Sequence, residues 1–208
     1  MAETKISPRY SAKRYPMFRK QIFFAITLLL LLSISCVTAV EIPITPQTKT
    51  GETITETIDI PVPHNAGEEA MVTLSFGAGT LHLLPNPGNS LLSGTAVYNV
   101  EDFKPEITVT DTSVDITQGN FKLDSVPTID AKVKNEWTLA LSDHPVDLTI
   151  KAGGYEGDYE LGGLSITNLH IADGAASVEL SFTMPNQVSM NSFRYETGAS
   201  NITLNNLS

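Results

Sequence analysis

Cysteine, tryptophan and, past the first twenty positions, basic residues are all scarce in this chain of 208 residues. Cys36 is the single cysteine, so no intramolecular disulfide can form, and a thiolate metal centre would lack partners. Lys5, Arg9, Lys13, Arg14, Arg19 and Lys20 are six of the thirteen basic residues; from Val40 onward seven Lys or Arg face twenty-two Asp or Glu, a balance of −15. Such an acidic body repels phosphate backbones, which argues against a nucleic-acid partner. Also missing are GxSxG, HExxH and any phosphate-cradling glycine loop. No window after residue 41 carries a 3.6-residue apolar repeat, which leaves little room for helix.

A basic start is followed by the uncharged run IFFAITLLLLLSISCVTAV, Ile22 to Val40. This is the layout of an export signal, with Val37-Thr38-Ala39 as a small-x-small cleavage site; an uncleaved membrane anchor is the alternative, because about 20 apolar residues span a bilayer. Either way the basic flank stays inside and the acidic body goes out. Ser33-Ile34-Ser35-Cys36 resembles a bacterial lipobox, with Ser33 where Leu is usual, which makes Cys36 the candidate lipidation site. The expected organisation is a signal peptide or anchor over 1–39, an extended Pro- and Thr-rich tether over 40–52, a β domain over 53–145 and repeats over 146–208, continuous with that domain.

Beyond the tether the apolar period is two. Ile54 to Ile60 predicts a first strand ended by Pro61 and Pro63. The same alternation runs through Val72-Leu74-Phe76, Leu81-Leu83, Ile107-Val109, Val114-Ile116, Trp137-Leu139-Leu141, Val146-Leu148-Ile150 and Val178-Leu180-Phe182. A longer period lies over it. Leu148-Thr-Ile150-Lys-Ala-Gly153 is echoed by Leu169-His-Ile171-Ala-Asp-Gly174 and by Phe193-Arg-Tyr195-Glu-Thr-Gly198, with glycines 21 and 24 residues apart. Each unit reads as strand, small-residue turn, strand, and VTLSFGAGTLHL is an earlier version of it. A unit with one apolar face cannot bury it alone, so successive units must stack, with glycine at the corners permitting positive φ and close approach. The predicted fold is all-β, a β-solenoid or rack of stacked strands, with a β-sandwich as the alternative.

The stretch VTLSFGAGTLHLLPNPGNSLLSGTAVYNVEDFKPEITV, residues 72 to 109, resembles the N-terminal domain of the bacterial toast-rack family. The carriers of this likeness are FGAGTLHL, Leu91-Leu92-Ser93-Gly94, the Tyr98-Asn99 pair and Pro105 before ITV. GGLSITNLHIADGAASVELSF and GASNITL resemble that family's β-rack repeats, the related adhesin-type domains and the C-terminal domains of cell-envelope stress regulators. The resemblance spans about residues 53 to 208. It implies an extracytoplasmic protein, anchored or secreted, that acts by protein contact, and it defines no catalytic residue.

The residues give little chemistry. His82 and His170 fall on the polar parity of their strands, His144 sits in a turn before Pro145 and His64 precedes Asn65, so no zinc or catalytic arrangement is indicated. Glu156, Asp158 and Glu160 share one side of a strand, a solvated face that blunts edge pairing; calcium is the alternative ligand. Trp137, Tyr155, Tyr159 and Tyr195 are the candidate aromatic strip for glycan or peptide, against the plainer reading that they cap the core at its rim. Asn201-Ile-Thr203 and Asn206-Leu-Ser208 match glycosylation sequons, read as chance matches beside a bacterial-looking export signal. No catalytic, cofactor or metal residue is assigned. Two readings remain: a non-enzymatic, membrane-associated envelope protein working through an envelope protein partner, in envelope-stress sensing, or an adhesin-like module that binds surface glycan or polymer. The closing GASNITLNNLS repeats the roles of Gly174-Ala-Ala with Val178 and Leu180 but supplies neither Pro nor charge as a cap. The expectation is a shortened version of a longer pattern, or an edge that something else covers.

Overall fold

The computed structural model describes residues 50–64, 69–86, 88–119 and 132–207. The expected export or anchor helix, Cys36 and most of the tether lie outside the described residues. Those described fall within one compact unit, Thr45–Ser208. Ten strands follow in order: β1 (Ile54–Pro61), β2 (Ala70–Pro85), β3 (Ser90–Tyr98), β4 (Pro105–Val109), β5 (Ser113–Gln118), β6 (Asn135–Leu141), β7 (Val146–Glu160), β8 (Ile166–Ser181), β9 (Ser192–Thr197) and β10 (Asn201–Asn205). The described helix is a single 3-10 turn, Glu101–Phe103. The all-β, rack-like class read from the alternation is the class observed.

The rack is built from three long strands. β2, β7 and β8 lie parallel, in register through Leu74, Ile150 and Ile171 before the glycine positions and through Leu83, Tyr159 and Leu180 after them. Each is continuous through residues expected to be turns, including Gly153-Gly154 in β7 and Gly174 in β8. Stacking explains the correction: a bend inside a strand keeps its ladder hydrogen bonds to the next rung, whereas a true turn would break both. The last rung divides, into β9 along the first half of β8 and β10 along its second half.

The two halves of the rack acquire different flanks. Beside the first half of β2, β5 pairs in parallel and β4 pairs antiparallel with β5. Beside its second half, β6 pairs in parallel, β3 antiparallel with β6, and β1 antiparallel with β3. The core between the halves is formed by the predicted alternating positions, with Val72, Leu74, Leu81, Leu83, Leu148, Ile150, Leu169, Ile171 and Leu180 all buried. Ile107 and Val109 depart from that pattern, at 42% and 48% exposed, because β4 pairs only with β5 and lies at the sheet's edge.

Glycine's role at the bends also differs from expectation. The described glycines with left-handed φ are Gly79 at 133°, Gly94 at 152° and Gly163 at 75°, so the repeat glycines Gly153, Gly174 and Gly198 do not require that region. Close approach is the reason at the last two. A Cβ on Gly198 would stand 2.6 Å from the Gly174 carbonyl oxygen, and one on Gly174 would stand 3.1 Å from that of Gly153.

Candidate functional site

The bend of the rack gathers the aromatic residues singled out in the sequence, but inward. Tyr155 and Tyr159 point to the same side of β7 by the period of two, and Gly157 lies between them. A Cβ there would come within 2.9 Å of Tyr155 Cε2 and 3.1 Å of Tyr159 Cζ, so the missing side chain gives the rings their space. They stack at 6.5 Å between centroids. Phe76 packs edge-on against Trp137 at 5.1 Å and against Tyr155 at 6.1 Å, tying β2, β6 and β7 together. Trp137 and Tyr159 are fully buried, Tyr155 is 5% exposed and Tyr195 is half-buried. The candidate glycan strip is therefore corrected: these four residues belong to the core or its rim, since their strands turn that parity toward the next sheet half.

A polar chain runs out from this core. Tyr159 Oη donates to Tyr155 Oη at 2.9 Å, and Tyr195 Oη donates to Asp173 Oδ2 at 2.6 Å. Asp173 Oδ1 accepts from Ser200 Oγ at 2.9 Å and also from Thr197 Oγ1, while Ser200 Oγ in turn accepts from the Ala176 amide at 2.9 Å. Burial pushes the Tyr155 phenol up to about 12 and raises Tyr159 well above the ordinary range. Tyr195 rises for the same reason, reinforced by its hydrogen bond to Asp173. The bonds that Tyr195, Thr197 and Ser200 donate to Asp173 splice the last rung to β8.

The bend also holds an open groove of about 340 Å³, lined by Phe76, Gly77, Gln118, Lys151, Gly153 and Gly174 among others. Gln118 closes one wall. Its Oε1 accepts from the Gly77 and Ala78 amides, at 2.8 and 3.3 Å, and from Asn135 Nδ2 at 2.9 Å. Neither Gln118, Asn135 nor Asp173 was singled out from the sequence. A signal existed: Gln118 continues the inward parity of Val114 and Ile116, and Asp173 that of Leu169 and Ile171. A polar residue on an apolar parity marks a buried hydrogen bond.

The remaining candidates lie away from this cluster, and not all face outward: His144 turns its Nε2 into the protein. His82 Nδ1 sits 3.5 Å from Asp158 Oδ2 on the neighbouring rung, and His170 Nε2 lies 2.8 Å from Glu196 Oε2. His64 is exposed and His144 half-buried. Glu156 and Asp158 are exposed as expected, on the outer face of β7. Glu160 does more: it accepts from the amides of Gly162 and Thr183, at 2.7 and 3.0 Å, and from Ser181 Oγ at 2.9 Å. Its partial burial pushes upward, yet these donors prevail and hold the carboxyl below its usual range. Glu196 is likewise lowered, by His170 and then Arg194. Among the described residues no three His, Cys, Asp or Glu side chains converge as metal ligands, and no helix is long and apolar enough to cross a membrane.

A stack of parallel strands bent at glycines, with antiparallel strands added at one side, defines a β-rack. The chain belongs to the family described as the N-terminal domain of toast_rack, DUF2154, whose pattern matches residues 48–205. Among solved structures it is similar to a "putative cell adhesion protein" from Clostridium sporogenes ATCC 15579, at TM-score 0.63 and 18% identity, over 74% of this chain and 99% of that one. A second, a "putative adhesin" from Parabacteroides distasonis ATCC 8503, aligns at TM-score 0.33 and 8% identity over 74% of this chain and 68% of that one. No curated protein matches.

Proposed function

We propose that this chain is a non-enzymatic β-rack module of the bacterial cell envelope, exported and membrane-associated through its N-terminal segment or a lipid on Cys36. It works through contact with an envelope protein, in the sensing of envelope stress. The supporting observation is the disposition of side chains. The aromatic residues that a carbohydrate platform would need are committed to the core, while the outer face of β7 presents Glu156 and Asp158 and that of β8 presents His170 and Glu179. A rigid rack with a polar, charged outer face and free strand edges suits recognition by protein contact, where charge complementarity sets the partner. The expected partner face is basic. Photo-crosslinking amino acids placed at Asp158 and Glu179 in cells, followed by identification of the captured chain, tests this: a single membrane kinase or transporter supports the proposal, and capture of glycan alone overturns it. A lipidated start at Cys36 in the intact mass supports the lipid arm, and a mature start at Val40 or an uncleaved Met1 overturns it.

One observation favours a second reading. The Clostridium sporogenes neighbour is described as a "putative cell adhesion protein", and the groove at the bend, with Lys151 beside Gly153 and Gly174, is a concavity in which an adhesin would seat a polymer bearing acidic groups. Retention on anionic cell-wall polymer that disappears in Lys151→Ala supports this reading.

A further inference from the structure

Among the described residues the sheet has three edges without a further strand, and they are not treated alike. At β1 the edge strand carries Glu56 and Asp59, and its register shifts between Ile60 and Pro61. At β4 the edge opens with Pro105 and Glu106. Proline, acidic side chains and irregular register are the devices by which a strand edge resists pairing with another chain. The third edge, the β9–β10 rung, lacks them along β10: Gly198 to Ser208 contains no charged residue and no proline, in a body that is otherwise strongly acidic. Among the described residues β10 pairs with β8 on one side only and β9 likewise. β1 pairs with β3, at the other side of the sheet.

The rung is also apolar where the next layer would sit. Leu204 continues the column Leu83, Tyr159, Leu180, and Phe193 continues Leu148, Leu169. Their predecessors in the column are buried, yet Leu204 is 40% and Phe193 38% exposed.

We infer that two copies of this chain join end to end through the β9–β10 rung, about a twofold axis that passes through the bend at Gly198–Ser200. The topology dictates that axis. β9 runs toward the bend along the first half of β8, and β10 runs away from it along the second half. A twofold through the bend lays β9 of one copy antiparallel to β10 of the other, and does so twice. The two strands match in length, six and five residues. Phe193 then covers Leu204 of the partner subunit, so the same apolar patch serves both copies, as an isologous interface requires. Like-charge repulsion between the acidic bodies is least here, because the rung's charges, Arg194 and Glu196, are already paired at 2.5 Å.

The test uses the full 208-residue chain in detergent, with Cys36→Ser so that added cysteines are unique. Sedimentation equilibrium at roughly 50 µM is expected to show a dimer, with Leu204→Lys and Phe193→Lys each weakening association about tenfold or more while strand content by circular dichroism is unchanged. Ala199→Cys, close to the axis, is expected to form a covalent dimer on mild oxidation, because a residue at a twofold meets its own copy within disulfide reach; Asp111→Cys, at the β4–β5 turn, is expected to remain uncrosslinked. A monomeric unmodified chain overturns the inference, and so does a dimer that both Lys variants leave intact and Ala199→Cys fails to lock.

Discussion

Tyr159 donates its phenol proton to the Tyr155 oxygen at 2.9 Å across the bare backbone of Gly157. The two rings and the glycine form a unit within β7, and the bond is buried. Tyr159→Phe removes the donor and leaves the Tyr155 oxygen without it, which is expected to cost about 1 kcal/mol in denaturant unfolding. Tyr159→Ala, which opens a cavity in the core, is expected to cost about 3–5 kcal/mol.

Gly157→Ala inserts a methyl group within 2.9 Å of Tyr155 Cε2 and 3.1 Å of Tyr159 Cζ. Both rings are held by neighbours and cannot move away freely. The expected loss is about 1–3 kcal/mol, read as a fall in the urea midpoint at unchanged slope.

Gly79 and Gly154 separate two uses of glycine in this fold. A Cβ on Gly79, at φ 133°, would meet the Asn135 carbonyl oxygen at 2.1 Å, whereas one on Gly154 would meet its nearest atom, the Ala175 oxygen, at 3.7 Å. Gly79→Ala is therefore expected to abolish folding or cost more than about 3 kcal/mol, and Gly154→Ala to change stability by less than about 1 kcal/mol. Equal effects in thermal unfolding would contradict the close approach of β2 to β6 at Asn135.

The phenols and carboxyls set opposite limits on pH. Tyr98, Tyr155, Tyr159 and Tyr195 are all raised above 10.0 in the folded state, so the stability they contribute is present below that pH and is lost as pH rises toward their folded values. Tyr155, Tyr159 and Tyr195, three of the six tyrosines, are expected to stay unionised at pH 10 by ultraviolet titration until the chain unfolds. Glu160 and Glu196 are lowered below 4.5, so their contribution is present above that pH and is lost as pH falls through their folded values. Glu160→Gln is expected to flatten the acid limb of the stability profile.

Trp137→Ala and Tyr155→Ala distinguish a core from a binding strip. Both residues lie in the core cluster. Each variant is expected to lower unfolding free energy by about 3–5 kcal/mol. Intact stability with loss of a bound glycan would restore the strip reading.

Periodicity was sufficient for the class of fold and for most of the core. The alternation of Leu148 with Ile150, of Leu169 with Ile171 and of Val178 with Leu180 assigns those side chains to one face, and a chain that must bury one face of many short strands has to stack them. The repeated glycines located the bends. The sequence could not say that β7 and β8 run unbroken through those glycines, because a corner and a turn use the same small residues. Which aromatic residues lie inside was decided by the tertiary structure: parity places Tyr155 and Tyr159 on one side of β7, but only the packing of β2 and β6 across the bend makes that side the core. The polar splice from Tyr195 through Asp173 to Ser200 joins residues up to 27 positions apart on separate rungs. It exists because stacking brings those rungs into register, a relation that residue type and spacing do not encode.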